Sequence, residues 1–258
     1  MRRTALAALC LTAVATLAVT GCQGEGKSEG KAKDKAAGSS EPKEAFAGLT
    51  GGEIVERAAK ATRGADSLRI KGDIPDEESG GTISMDMALN QKGDCAGHMS
   101  MDGEGRADLI KNGSTVYMKY DEAFLRGQSE GEPEAETDAA VGMLAGKWTK
   151  MSASGEGSED LAAFCDLDAL LGDATDGKSD ATRGKTTTVD GTPAITLHEK
   201  DGKDSFTLYV ATEGEPYVLK LVSTSPSEPG SLSFSDYGKP VPTDKPTGDI
   251  IDLDALGA

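Results

Sequence analysis

Few side chains in this sequence could do chemistry: four cysteines, Cys10, Cys22, Cys95 and Cys165, and two histidines, His98 and His198. Two histidines leave a Ser-His-Asp triad little to draw on, and no Gly-x-Ser-x-Gly elbow is present. His198 sits beside Glu199 in a strand-like stretch, where neighbours point to opposite faces, and reads as an exposed strand histidine rather than a general base. Cys95-x-x-His98 could seed a metal site, yet no second Cys-x-x-Cys pair accompanies it. The other reading of Cys95 and Cys165 is a disulfide, for which the loop-entropy model gives on the order of 4 kcal/mol. Asp173-x-x-Asp176-Gly177-x-x-Asp180 places carboxylates near a glycine but lacks the alternating ligand positions and terminal Glu of an EF-hand. Asp166-x-Asp168 and Asp252-x-Asp254 read as acids at helix starts, complementing the helix dipole. Gly21-x-x-x-x-Gly26-Lys27-Ser28 matches a phosphate-binding loop letter for letter, but no buried strand leads into it and no helix follows. These residues point away from catalysis, from a resident metal and from a cofactor.

Cys22 stands apart, because its setting suits a modified thiol. Arg2 and Arg3 form a positive n-region, and an apolar run follows from Ala5 to Val19, too short to span a bilayer as a permanent helix. The run ends in Val19-Thr20-Gly21-Cys22, which resembles the lipobox of bacterial lipoproteins. That resemblance implies cleavage before Cys22 and a diacylglycerol on its sulfur, with residues 1–21 as signal peptide. It implies a mature chain on the outer face of the cytoplasmic membrane, held there by its lipid anchor. In that oxidising setting a disulfide is the default state of Cys95 and Cys165.

Removing residues 1–21 takes away two arginines and no acid, so the formal net charge moves from −17 to −19. Such a chain will not bind nucleic acid through its phosphates, which requires clustered Lys and Arg. It is repelled by anionic headgroups as well, so the acyl chains rather than surface charge must hold it to the membrane. Cys22 and the Gly-, Lys-, Glu- and Ser-rich segment after it, through residue 47, are too polar to bury a core and read as a flexible tether reaching about 25–30 Å.

The remaining stretch, 48–257, suits one domain with its own core. Thr50-x-x-Glu53 reads as a capping box opening a helix with Ile54, Val55, Ala58, Ala59 and Ala61 on one stripe, ending near Gly64. The period then changes to two. Leu68 and Ile70 alternate with Arg69 and Lys71, and Ile83, Met85, Met87 and Leu89 alternate with polar or small residues; Met99 and Met101 follow. Asn112-Gly113 signals a hairpin between Leu109-Ile110 and Val116-Tyr117-Met118. Residues 121–146 interrupt the series: a helical turn over Asp121–Arg126, an acidic mobile loop over Gly127–Thr137, and a short helix over Ala139–Leu144. Trp148 begins a strand through Met151, and Glu159–Leu171 reads as a helix. Strands near 184–190, 193–200, 204–212, 216–224 and 231–237 form a second meander, with tight turns at Asp190-Gly191 and Asp201-Gly202, before a Pro-rich tail closing at Asp249–Leu256. A sheet this long with one apolar face needs a cover, and so few helices cannot make a doubly wound fold. The expected class is α+β: a strongly curved antiparallel sheet, a half-barrel, with a few helices packed in its concave face.

A lipobox, a polar tether, a single first helix, a long meander, a strand starting at Gly146-Lys147-Trp148 and a turn at Phe234-x-x-Tyr237-Gly238-x-Pro240-Val241 together resemble the actinobacterial LprG/LppX lipoproteins, which share the half-barrel of the LolA and LolB carriers. The resemblance implies a non-enzymatic module of the cell envelope that binds or transfers acylated lipids, or another hydrophobic ligand, between sheet and helices. It transfers no ligand residues one by one. The residues themselves nominate a lining of Ile83, Met85, Met87, Leu89, Met99, Met101, Val116, Met118, Trp148, Phe206 and Leu208, since flexible thioethers suit variable acyl chains. The same methionines could equally fill the core of the sheet. The half-barrel would then be a filled-core sensory or partner-binding module whose envelope protein partner is unknown.

Overall fold

The computed structural model describes residues 45–75, 81–101, 105–154, 164–171, 179–226 and 229–256. The leader, the Cys22 lipobox, the glycine-lysine pattern at 21–28 and most of the tether fall outside these residues, as do Asp173 and Asp176. The described elements are helix α1 (Gly51–Arg63), strands β1 (Ser67–Pro75), β2 (Thr82–Asn90), β3 (Cys95–Met101), β4 (Gly105–Asn112) and β5 (Thr115–Tyr120), helices α2 (Glu122–Gln128) and α3 (Glu134–Leu144), strand β6 (Trp148–Ser152) and helix α4 (Leu167–Leu171). Strands β7 (Thr182–Val189), β8 (Thr192–Asp201), β9 (Asp204–Ala211), β10 (Val218–Thr224), β11 (Pro229–Ser235) and β12 (Ile250–Asp252) complete the chain.

All twelve strands belong to one open sheet in the order β12-β6-β5-β4-β3-β2-β1-β11-β10-β9-β8-β7. Two meanders are thus zipped together where β1 pairs antiparallel with β11, Ile70 opposite Phe234 and Gly72 opposite Leu232. The expected α+β half-barrel is the observed architecture. One pairing departs from it: β12 joins β6 in parallel, Ile250 beside Trp148.

Register makes the apolar face continuous. Leu197, Leu208, Leu221, Leu232, Gly72, Met85, Met99, Ala107 and Tyr120 are successive partners from β8 to β5. A second row runs Phe234, Ile70, Met87, Gly97, Leu109, Met118 and Thr149. A sheet curling toward that face crowds its own backbone, and glycine relieves the crowding. A Cβ on Gly72 would stand 1.9 Å from the Ser231 carbonyl oxygen, and one on Gly97 would stand 2.1 Å from that of Asp86.

Helix α1 lies against this face over β7 to β10. Its capping box is formed: the Thr50 hydroxyl accepts from the Glu53 amide at 3.2 Å, and the Glu53 carboxylate accepts from the Thr50 amide at 2.7 Å. Ile54 and Ala58 are fully buried beneath it. The Arg183 guanidinium donates to the carbonyls of Phe46, Leu49 and Ala45 at 2.7, 2.9 and 3.1 Å, tying the entry segment to β7. At the far end the Thr62 hydroxyl accepts from the Val218 amide at 2.9 Å. Tyr237, from the late aromatic turn, donates to the Val218 carbonyl and stacks on Tyr217 with ring centroids 3.9 Å apart.

Cys95 and Cys165 form a disulfide, both fully buried, with Cα atoms 5.3 Å apart. It fastens the start of α4 to the inner face of β3. The Asp166 carboxylate caps that helix by accepting from the amides of Asp168 and Ala169. Of the helix expected over Glu159–Leu171, Phe164 and Cys165 form a turn, the helix starts at Leu167, and 159–163 lie outside the described residues. Of the acidic loop expected over 127–137, residues 127–128 end α2 and 134–137 begin α3, leaving 129–133 as the turn between them. Pro133 precedes α3, Glu134 and Glu136 sit where acids favour a helix N-terminus, and Arg126 bridges Glu122 and Asp138 at 2.9 and 3.0 Å.

Two stability tests follow. Replacing Cys95 and Cys165 together by alanine releases a loop of 70 residues and should cost about 4 kcal/mol in urea unfolding, and a loss below ~1 kcal/mol would contradict a native bridge. Gly72→Ala should lower stability by about 1–3 kcal/mol, read as a fall in melting temperature, because the new methyl must displace backbone.

Candidate functional site

The inner face is filled on one side and hollow on the other. Over β2 to β5, Met87, Leu89, Leu109, Val116 and Met118 are at most 2% exposed and pack with the disulfide and Leu167 into a closed core. Under α1 the packing is incomplete. Ala59 and Val55 present short side chains toward β9 and β10, and a cavity of about 350 Å³ remains. Its floor is Leu208, Leu221, Val218 and Phe234, its roof is α1 with Thr62 and Leu171, and Phe206, Glu199 and Asp201 stand at one side. A second hollow of about 230 Å³ adjoins it, sharing Phe206 and Leu221 and continuing along Leu232, Gly230 and Ile74.

The described lining is almost wholly apolar. Thr62 is its main interior polar group, and its hydroxyl is engaged by the Val218 amide. Such a space gives water few partners and suits hydrocarbon. No group of three or more His, Cys, Asp or Glu among the described residues could hold a metal.

Of the residues nominated from sequence, Phe206 and Leu208 are on the cavity wall. Met85, Met87, Leu89, Val116 and Met118 are buried in the filled half, and Met99 packs against it. Ile83 and Met101 are cross-strand partners on the inner face, on the row of Ile74 and next to the second hollow, and both are partly exposed. Trp148 lies on the opposite face. It partners Lys119 across β5–β6, and the Lys119 ammonium sits 4.9 Å from its ring centroid. Thr149 takes the inward position, its hydroxyl donating to the Met118 carbonyl at 3.1 Å. Val55, Ala59, Leu221 and Phe234, which the nomination omitted, form much of the wall. Val55 and Ala59 did stand on the amphipathic stripe of α1, but the stripe does not say which strands it crosses.

The outer face carries a charge ladder. Lys71, Asp86, His98, Asp108 and Lys119 are successive cross-strand neighbours from β1 to β5. Arg69 Nε donates to Asp86 Oδ1 at 2.5 Å, with Lys71 Nζ 3.8 Å away; Arg106 and Lys119 hold Asp108 at 2.6 and 3.0 Å. The hydrogen bond from Arg69 holds the Asp86 carboxyl below the usual carboxylate range. Burial raises Asp108, but its bonds to Arg106 and Lys119 leave it lowered. Burial, reinforced by Arg106, lowers the pKa of His98 despite two flanking acids. Arginine and lysine thus hold both acids of the ladder.

The fold is therefore an open half-barrel with helices on its concave side and an apolar cavity beneath the first. LprF from Mycobacterium bovis has this fold: it is 14% identical, the alignment covers 77% of this chain and 97% of LprF, and the TM-score is 0.52. The lipoprotein LppX from Mycobacterium tuberculosis is 15% identical over 75% of this chain and 98% of its own, with a TM-score of 0.49. At these identities the likeness is one of fold. No protein-family model matches the chain, and no curated protein matches it in sequence.

The ladder gives a pH test. Because Asp86 has a folded pKa below its unfolded value of about 4, its stabilisation is complete above that value and vanishes as pH falls through the folded pKa. Asp86→Asn should cost about 1 kcal/mol at pH 7, and the gap from wild type should narrow as pH falls from about 4 through the lowered folded pKa. A gap that is constant with pH would exclude the assignment.

Proposed function

We propose that this chain is a lipid-anchored, extracytoplasmic binding module that takes acyl chains, or another hydrophobic ligand of similar shape, into the cavity between α1 and β8–β11, without catalytic chemistry. The cavity carries the reading: a preformed apolar space at the inner face of a half-barrel, with its one interior hydroxyl already engaged. Transfer of hydrocarbon into such a space is favourable by ~0.8 kcal/mol per methylene. The lipobox supports the location. In this reading residues 1–21 are the signal peptide, Cys22 carries the diacylglycerol, residues 22–47 are the tether and 48–257 the ligand-binding domain. Among the described residues no helix is long and apolar enough to cross a membrane. The tether would let the domain move between the membrane and a recipient, so exchange of ligand needs no release of the anchor.

Native mass spectrometry of residues 42–258, a compact unit by contact, produced in an export compartment so that the disulfide forms, should show added masses that organic solvent removes. Ala59→Trp, which puts an indole into the space, should lower uptake at least about tenfold while leaving the melting temperature within a few degrees. A protein that stays free of ligand after incubation with membrane lipids would instead favour the filled-core partner-binding module.

A further inference from the structure

The two hollows of the inner face meet at one aromatic ring. Phe206, Ser223 and Gly230 are successive cross-strand partners from β9 to β11. Each lies two residues from Leu208, Leu221 or Leu232 on its own strand, and so on the same inner face. One large side chain is therefore followed by two small ones. Gly230 admits nothing larger, since a Cβ there would stand 2.7 Å from the Asp73 carbonyl oxygen. The Ser223 hydroxyl is engaged as well, accepting from the Ser225 amide at 3.3 Å. Over this small floor lies the second hollow of about 230 Å³, with Ile74 and Pro75 on its far side. On the near side stands Phe206, half-buried, and past it lies the cavity of about 350 Å³ under α1. Two side chains border both spaces, Phe206 and Leu221. Leu221 is part of the leucine floor, partnering Leu208 and Leu232, so the ring of Phe206 is the larger group between the hollows.

We infer that Phe206 sets the length of chain this site accepts: its ring separates the cavity under α1 from the second hollow, and the ligand is a single chain that fills the first alone. This rests on the reading of the cavity as a hydrophobic-ligand site and adds a limit of size to it. The limit follows from volume. At ~30 Å³ per group, the share of a water molecule in its liquid and close to that of a methylene, the cavity under α1 has room for about twelve such groups and the second hollow for about eight. Each methylene taken out of water raises affinity about fourfold, and one left in water adds nothing. Affinity therefore climbs with chain length up to the capacity of the cavity and then levels off. Removing the ring joins the second hollow to the first and moves the break to longer chains.

Alkyl maltosides from octyl to hexadecyl test this, because the uncharged head stays constant while the chain grows. Each is titrated below its micelle concentration into residues 42–258, and the readout is displacement of the neutral probe N-phenyl-1-naphthylamine, whose own affinity is measured for every variant. In wild type, affinity should rise about fourfold per methylene to about twelve carbons and change less than about twofold beyond. In Phe206→Ala the rise should continue for at least about three more carbons, with the octyl compound bound as in wild type. Phe206→Leu, which keeps an apolar side chain in place, should fall between them and decides the matter if the alanine variant does not fold. Adding Ser223→Phe to Phe206→Ala moves the ring into the second hollow and should return the break to near its wild-type length. Affinity that climbs through hexadecyl in wild type, a break that Phe206→Ala leaves in place, or an extension that survives Ser223→Phe overturns the inference while leaving the cavity as a hydrophobic site. If no maltoside displaces the probe from any variant, the hydrophobic-ligand reading falls together with the size limit.

Discussion

The pairing of β1 with β11 is the constraint on which the structure depends. Each meander alone would be a sheet with two open edges and one uncovered apolar face, an arrangement prone to pair with other chains. Joining them puts Phe234 opposite Ile70 and Leu232 opposite Gly72, and so makes one inner surface from two. The strands that meet come from opposite ends of the domain, so the contact closes a long loop and must offset its entropy. Gly72 sits at this seam, where the strands approach so closely that no side chain fits.

Once the inner surface is continuous, its two halves are covered differently. The β2–β5 half receives the disulfide, Leu167 and several long methionines, which bend to fill irregular space and leave a closed core. The β8–β11 half receives α1. That helix is fixed at both ends, by Arg183 holding the entry segment and by Thr62 on Val218, while its middle presents Val55 and Ala59 over Leu208 and Leu221. Short side chains held at a fixed height over a leucine floor leave a gap. The cavity follows from where α1 is pinned more than from any special lining.

That origin explains what the sequence made legible. Capping at Thr50 and Glu53, the alternation of β2 and the Asn112-Gly113 hairpin are local signals, and each element formed where its signal stood. The half-barrel followed from counting one-sided strands against few helices. Three features were hidden, two of them because they depend on distant partners. Strand β12 is three residues long and has no alternation of its own; it exists because Lys150 Nζ finds Asp252 at 2.6 Å and β6 has a free edge. The start of α3 looked like an acidic loop because its favourable term is a dipole, not a stripe. The cavity wall was read from methionine content, whereas the hollow lies where α1 crosses, so Phe206 and Leu208 are on it and Met87 and Met118 are in the closed core. Trp148 shows the same dependence, for its face is set by the β5–β6 register that gives Thr149 the inward position.

The two faces of the sheet divide the work of keeping that space open. On the outer face, each acid of the ladder is held by arginine or lysine on its own or a neighbouring strand, which resists slippage of one strand past the next. On the inner face, the closed half provides the burial that stabilises the domain, so the hollow half need not be filled to keep the fold intact. A cavity whose floor and roof are already fixed loses little freedom when occupied, and that preorganisation favours binding over a pocket that must be opened first. Unequal packing of one continuous face therefore reconciles a stable core with a cavity, and it does so with side chains drawn from both meanders and the first helix.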